Sequence, residues 1–470
     1  MYAHINKMKH LTKSAKWLFA LGLLTLLTAC GEERLTPEDL AEAKPLAVSF
    51  DTYLSRATHN TRVASPSETS KGDIDLDRLK QLGFGVMAMH TGSYEYYAYD
   101  MGLGRYNDKG AFNFMWNERQ SWNSGLLRWT YAPVKYWPND NNPADDKTAQ
   151  GSMEHSYLTF FAYAPYRQET TPATGFTATG SDHGIVGLTA NSTAADQTCL
   201  TYRLATTKKL KDCVDLLWAY PQFNRYKTDG AGTTSGTVLM HFIHALSKLK
   251  LEVQGIFDHT SPTDNSTEYP SDVDSQTKIF VESVTISDLP TEAILYLQPD
   301  ENSTTTPRWD SQASTEAIAI TTSDLNEEVR WTWTPSKTTD ADAALTEFNA
   351  LEEGVTNTVK RLLKEEDDAY LLIPRSTAQT MTVTVKYHVV TYDPALTLNS
   401  PKYFSHVTND IESTTTETFT IEANKTYTLR LLLGLTTVKF EITAEDWAVP
   451  MVLDAEVTPW GDKTHEANVE

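Results

Sequence analysis

Cysteine is scarce in this 470-residue chain, which has three: Cys30, Cys199 and Cys213. No CxxC pair and no Cys/His spacing of the zinc type occurs, so no metal centre is expected. Cationic side chains are also few, 40 Lys and Arg against 62 Asp and Glu, for a formal net charge of −22 at pH 7. Such a chain repels nucleic acid and anionic membrane surfaces, and neither is an expected partner. Enzyme signatures are missing as well: there is no GxSxG, no HExxH and no P-loop. Gly83-Phe84-Gly85 opens a strand pattern with no helix behind it, so a nucleotide-binding reading fails. No catalytic residue and no cofactor is expected. Beyond the first thirty residues nothing approaches the ~18 consecutive apolar residues of a membrane-spanning helix.

The apolar run that is present follows a basic start. Lys7, Lys9, Lys13 and Lys16 precede a stretch from Trp17 to Leu27, and Thr28-Ala29-Cys30 ends it. A helix this short does not cross a hydrocarbon core of ~30 Å, so it reads as a signal peptide over residues 1–29. Leu27, Thr28 and Ala29 form a lipobox, which places cleavage between Ala29 and Cys30 and the lipid on Cys30. Met8 begins a complete signal by itself and competes with Met1 as the start. Several acyl chains, at roughly 0.8 kcal/mol per buried methylene, would hold the protein to a bilayer. Gly31-Glu32-Glu33 then resembles a surface-export signal, and residues 30–45 read as a tether. Removing the signal leaves 36 basic and 62 acidic side chains.

The rest of the chain is patterned as β. Period-2 alternation recurs in residues 46–54, 84–89, 127–131, 157–163, 238–242, 249–253, 279–286, 381–387, 426–433, 438–442 and 452–457. Many short strands without alternating helices predict antiparallel sandwiches, an all-β fold. The length suits two or three domains. One segment departs from this. Ala344, Phe348, Leu351, Val355, Val359 and Leu362 recur at helical spacing and predict a helical insertion over 340–364. The polar stretch 258–276 reads as a linker or as a long hairpin loop. In an oxidising compartment Cys199 and Cys213 can close a short loop bridge, or stand as two isolated thiols.

Other chemistry-bearing residues carry bland readings. His241 and His244 have HxxH spacing, but a strand turns the two rings to opposite sides. Asp140, Asp145 and Asp146 lack the Gly and Glu of a calcium loop. Glu365-Glu366-Asp367-Asp368 reads as a solvated turn. Trp116, Trp122, Trp129 and Trp137 suggest a sugar-binding surface, although strand tryptophans are more often core.

The chain resembles the fimbrillin (Mfa-like) proteins, pilin subunits and surface lipoproteins of Gram-negative anaerobes. The residues that carry this run along most of the mature chain. They include Val48-Ser49-Phe50, Ser55-Arg56-Ala57-Thr58, Phe84-Gly85-Val86, Lys135-Tyr136-Trp137-Pro138 and Phe160-Phe161-Ala162-Tyr163-Ala164-Pro165-Tyr166. Asp215-Leu216-Leu217-Trp218-Ala219, the run from Met240 to Lys248, Leu371-Leu372-Ile373-Pro374, Tyr427-Thr428-Leu429 and Asp446-Trp447 continue it. The resemblance implies two transthyretin-like, Greek-key β-sandwich domains, at 46–258 and 279–470, with 259–278 between them. It implies a non-catalytic subunit of a fimbria in the outer membrane or at the cell surface, assembled by strand donation and active in adhesion. A protease cuts behind the first strand, here after Arg56, with Arg62 second and Arg34 third. The donor strand would be Met451, Val452, Leu453, Asp454, Ala455, Glu456 and Val457, unless that strand closes its own domain. Partners would be other fimbrillin subunits, the membrane through Cys30, and a host or bacterial glycan or protein. The alternative is a non-polymerising lipoprotein that binds glycan through its aromatic-rich first half.

Overall fold

A computed structural model of the chain describes residues 46–54, 56–57, 71–92, 99–100, 105–106, 112–138, 157–168, 175–177, 183–189, 198–207, 209–225, 236–256, 276–298, 305–311, 315–365, 368–414, 419–434 and 438–449. The first half runs β1 (Ser49–Leu54), β2 (Arg56–Ala57), α1 (Leu76–Leu82), β3 (Phe84–Gly92), β4 (Tyr99–Asp100), β5 (Arg105–Tyr106), β6 (Met115–Asn123) and β7 (Arg128–Thr130). It continues with β8 (Tyr157–Ala164), β9 (Gly175–Thr177), β10 (Gly184–Thr189), β11 (Cys199–Arg203), β12 (Leu217–Ala219), β13 (Gln222–Arg225) and β14 (Thr237–His244). Then come β15 (Ser247–Gly255), β16 (Thr277–Pro290), β17 (Glu292–Tyr296), β18 (Arg308–Ser311), β19 (Thr315–Ile320), α2 (Ala341–Asn349), β20 (Lys360–Arg361) and β21 (Tyr370–Leu372). The last are β22 (Arg375–Gln379), β23 (Thr382–Tyr392), β24 (Phe404–Thr414), β25 (Phe419–Ile421), β26 (Lys425–Leu433), β27 (Val438–Asp446) and β28 (Ala448–Val449). The fold is all-β. No helix among the described residues is long and apolar enough to cross a membrane.

The largest sheet has the order β1-β14-β12-β8-β3-β6-β7, with β13 also on β8. Alternation along its central strands explains its place. In β8, Leu158, Phe160, Ala162 and Ala164 enter one core, while Phe161 and Tyr163 enter the core on the other face. Phe84 and Val86 of β3 divide from Met87 and Met89 in the same way. A strand apolar on both faces belongs between two layers, as a run of aromatics and β-branched residues predicts. The second core also takes Ile185, Leu188, Leu200, Tyr202, Ala293 and Leu295 from a sheet of order β18-β17-β11-β10-β9.

A second sandwich stacks the sheet β20-β15-β26-β27 on the sheet β19-β16-β23-β24. Leu249, Leu251 and Val253 of β15 and Leu429 and Leu431 of β26 share a core with Ile279, Val281 and Val284 of β16 and Val383 and Val385 of β23. Strand membership crosses the boundary expected at 258. β15 pairs with β26 in parallel, and β17 leaves the second half to pair with β11. Direct passage from β14 into β15, and from β16 into β17, therefore stitches the two sandwiches together.

The helical insertion is shorter than its spacing predicts. α2 ends at Asn349, and Ala344 and Phe348 pack on Val390, Tyr392 and Phe404. Lys278 Nζ donates to the carbonyls of Phe348 and Leu351, at 3.1 and 2.7 Å, and so satisfies the helix C-terminus. The chain then turns through Gly354 at φ +79°, where a Cβ would stand 2.4 Å from the Ile279 carbonyl oxygen. Val355 and Leu362 reach the sandwich core from an irregular segment, not from a helix.

Candidate functional site

β1 is the element on which the pilin expectation turns. It is a strand because its residues alternate, and it runs parallel to β14 from Ser49 opposite Thr237 to Leu54 opposite Phe242. Phe50 points into the core and meets the rings of Phe84, Tyr131 and Phe160 edge-on at 6.5, 5.8 and 5.6 Å. Val48 is buried beside it. β14 supplies the only ladder that β1 has among the described residues, since β1 ends the strand order. On its other side the contacts are individual bonds. Trp129 Nε1 donates to Thr52 Oγ1 at 3.0 Å, Tyr131 Oη to the Val48 carbonyl at 2.9 Å, and Val48 N–H to the Lys135 carbonyl at 2.9 Å. Opposite the core, Tyr53 meets His241 at 4.6 Å, and Tyr220 meets the same imidazole at 4.4 Å. Burial holds the His241 pKa below its ordinary value.

The sequence-expected sites fall unevenly on this frame. Arg56 is in β2, where it stands opposite Val449 of β28 in an antiparallel pair. The stretch behind β1 is thus tied to the residues that lead into 451–457. Ala29, Cys30, Arg62 and the segment Met451 to Val457 lie outside the described residues. Cys199 and Cys213 are both buried, and no disulfide joins them. The reason is geometric. β11 carries Cys199 at its start and rises ~13 Å to its end, whereas Cys213 Sγ lies 3.9 Å from the carbonyl of Ala205, past that end. A disulfide needs Cα atoms within about 7 Å.

Trp129 and Trp137 are core, and Trp116 and Trp122 pack half-buried against it, which leaves no open tryptophan platform there. Asp368 is not solvated. Its carboxylate is 2% exposed and takes Lys209 Nζ at 2.5 Å and Lys211 Nζ at 3.5 Å, while the neighbouring Glu365 remains exposed.

One constellation was not expected. Where β14 passes into β15, Asp73, Asp215 and His244 bring their ligand-type atoms within 4.8 Å of one another. Asp215 is fully buried and accepts from the Ile74 N–H at 3.1 Å and the Leu216 N–H at 2.8 Å. His244 Nδ1 lies 2.8 Å from the same carboxylate. Lys248 Nζ is bonded to Asp73, and it stands 4.3 Å from the centroid of Trp447, whose indole stacks on His244. Burial works to raise the Asp73 pKa, but the charges of Lys248 and His244 outweigh it and hold the carboxyl below its ordinary value. The Lys248 ammonium is bonded to Asp73, and two backbone N–H groups are bonded to Asp215. The cluster acts as a polar joint between the sandwiches. The His241 ring lies instead beside Tyr53 and Tyr220, as opposite faces of a strand require. The runs Asp215 to Ala219 and Met240 to Lys248 hold Asp215, His244 and Lys248, but nothing in either run marks these residues as partners of one another or of Asp73.

The fimbrillin-like family model matches residues 107–447. This chain belongs to the fimbrillin-like family. Among solved structures, a fimbrial protein from Bacteroides vulgatus matches at 19% identity, covering 86% of this chain and 99% of its own, with a TM-score of 0.50. A proposed cell adhesion protein from Bacteroides uniformis matches at 14% identity over 86% of this chain and 99% of its own, with a TM-score of 0.35. A similar protein from Bacteroides ovatus has 12% identity, 87% and 99% coverage and a TM-score of 0.36. No curated protein matches the chain. At these identities the likeness to the first structure is one of fold, and the fimbrillin-like domain spans both sandwiches.

Proposed function

We propose that this fimbrillin-like protein is a non-catalytic surface subunit of a fimbria, tethered through a lipid on Cys30 and assembled by strand donation. The observation that carries the reading is the seat of β1. The strand has one ladder partner, it plugs a core with Val48 and Phe50, and it leads directly to Arg56. Cleavage after Arg56 would free a strand held by six residue pairs and a few side-chain bonds. Its departure would expose the β14 edge and an apolar floor, with each unmet buried polar group costing about 1–3 kcal/mol. A strand from a second subunit would refill the groove, which is β-augmentation carried to completion. Residues 451–457 suit that role by sequence: Met451, Leu453, Ala455 and Val457 share one face, Asp454 and Glu456 the other. Pro450 and Pro459 bracket them and delimit the pairing segment. Their nearest described neighbour, Val449, stands opposite Arg56, so the cut and the tail would be released from one place.

The test is to treat acylation-free protein with an arginine-specific protease and to examine it on denaturing gels without boiling. A ladder of oligomers that depends on Arg56 supports the reading. Cleavage confined to 258–276, or a clean Arg56 cut with no ladder, overturns it.

A further inference from the structure

The outer face of the second sandwich carries a cluster separate from the joint. His388 of β23 is buried and His406 of β24 is exposed. They are diagonal neighbours, because His388 stands opposite Thr408 and Val390 opposite His406. His388 Nδ1 is 2.8 Å from His406 Nε2 and 3.1 Å from Thr408 Oγ1. The other nitrogen of His388, Nε2, is 2.7 Å from a carboxylate oxygen of Glu282, whose second oxygen accepts from Lys386 Nζ at 2.8 Å. Trp331 lies over both imidazoles, with centroids at 4.0 and 4.9 Å and planes within 17° and 21°.

The carboxylate decides the tautomer. Glu282 accepts, so His388 Nε2 carries the hydrogen and Nδ1 presents a lone pair, which is how a metal-binding imidazole is commonly oriented. His406 Nε2 and Thr408 Oγ1 converge on the same point from β24. One hydrogen on His406 Nε2 bridges the two rings here, and a metal ion can take its place. Two bonds of about 2.0–2.1 Å separate the nitrogens by about 2.9 Å at the right angle of a tetragonal copper(II) site and by about 3.3 Å at a tetrahedral zinc. The first nearly matches the present gap of 2.8 Å, and the second asks about half an ångström more of the exposed His406 ring.

We propose that His388 Nδ1 and His406 Nε2 form a binding site for one divalent transition-metal ion that favours imidazole, with copper(II) held above zinc. Glu282 orients His388, solvent completes the shell beside Thr408, and Trp331 covers the rings. The order of affinity follows from imidazole ligation and the general ranking of divalent ions. Burial holds both histidines below their ordinary pKa, and for His388 the positive charge of Lys386 adds to this. The rings are therefore neutral near pH 7, as ligands must be. Glu282 neutralises Lys386, so the ammonium does not repel the ion unopposed.

The experiment titrates the purified chain with copper(II) chloride and, separately, zinc chloride, by calorimetry and, for copper, by electron paramagnetic resonance. Wild type should show one site with nitrogen hyperfine structure from two imidazoles. His406→Ala, on an exposed edge strand and so tolerated by the fold, should lose that site and its two-nitrogen signal. Glu282→Gln should weaken it by about 10–100-fold, the usual effect of removing an orienting partner. Copper should also raise the melting temperature of wild type and not of His406→Ala. Other histidines give background binding that both proteins share. Titration curves of His406→Ala that superimpose on wild type would overturn the proposal, as would a two-imidazole signal that survives in it.

Discussion

His244 and Trp447 lie face to face, their ring centroids 3.9 Å apart and their planes 5° from parallel. The pair joins the last residue of β14 to the end of β27, so a strand of the first sandwich is held against the exit of the second. The backbone N–H of Trp447 donates to the Asn424 carbonyl at 2.8 Å, and the backbone N–H of Asn424 to the Leu246 carbonyl at 3.0 Å, which fixes the backbone that carries the indole. The ring also lies 4.3 Å from the Lys248 ammonium that is bonded to Asp73.

Trp447→Ala should therefore weaken the whole fold. Loss of a buried tryptophan side chain costs about 3–5 kcal/mol, and here the contact with the Lys248 ammonium is lost as well. Urea denaturation should show a lower midpoint, with Trp447→Phe recovering part of the loss. An unchanged midpoint in the alanine variant would mean that the stack carries no stability.

Asp215→Ala should be at least as damaging. Two backbone N–H groups and the His244 ring would lose their acceptor at a fully buried point. Each buried donor left without an acceptor costs about 1–3 kcal/mol. Asp215→Asn keeps an acceptor oxygen and should fall between that variant and wild type on the same denaturation curve.

The strands that build the cores were legible because apolar alternation reports burial directly. Residues 157–163, 249–253 and 279–286 all fall within observed strands, β8, β15 and β16. β24 was not read as a strand, since its outer edge position leaves most of its residues exposed and no apolar period is needed. The helix was overextended for the opposite reason. Val355 and Leu362 are apolar because they enter the sandwich core, and their spacing from Phe348 imitates a helical face. The joint was hidden because its members, from Asp73 to Trp447, come together only through strand order. A lone Asp before α1 and a His ending β14 carry no local sign of each other.

Gly354→Ala tests the turn that ends the helical insertion. A Cβ there meets the Ile279 carbonyl oxygen at 2.4 Å, and φ is +79°. The left-handed conformation alone costs an L-residue roughly 1–2 kcal/mol, and the clash with backbone adds to it. The variant should melt several degrees lower, with most of the loss retained in Gly354→Ser. Wild-type stability would show that the turn relaxes freely.

Acid should destabilise the second sandwich in two steps. His388 and His406 are held below 6.5, for His388 by burial first, with His406 and Lys386 adding to it against the pull of Glu282. The folded state keeps these rings neutral, so the unfolded chain binds more protons as pH falls through 6.5, and stability drops there. Glu282 is held below 4.5, chiefly by its bond from Lys386. Its contribution is present above 4.5 and is lost as pH falls through the folded value. Thermal melts in a chelating buffer should therefore decline from pH 7 to 5 and again below 4.5. His388→Gln should flatten the first decline while Glu282 remains charged. A flat melting temperature between pH 7 and 5 would rule out the first step.

The proposed strand release would make opposite demands on Phe50 and Leu453, and this separates a polymer from a monomer. Phe50 is part of β1, and its ring touches Phe84, Tyr131 and Phe160 in the unprocessed protein. Phe50→Ala should cost the uncut chain about 3–5 kcal/mol. Once β1 has left, that residue is no longer in the fold, and the assembled polymer should be as stable as wild type. Leu453 lies in the proposed donor face. Leu453→Asp should leave the uncut monomer unchanged, yet it should abolish extension, because a buried unpaired charge costs several kcal/mol in the receiving groove. Melting curves before and after Arg56 cleavage distinguish the two states of each variant. If Leu453→Asp instead lowers the melting temperature of the uncut monomer sharply, residues 451–457 complete their own fold. In that case, a polymer built by donating them is excluded.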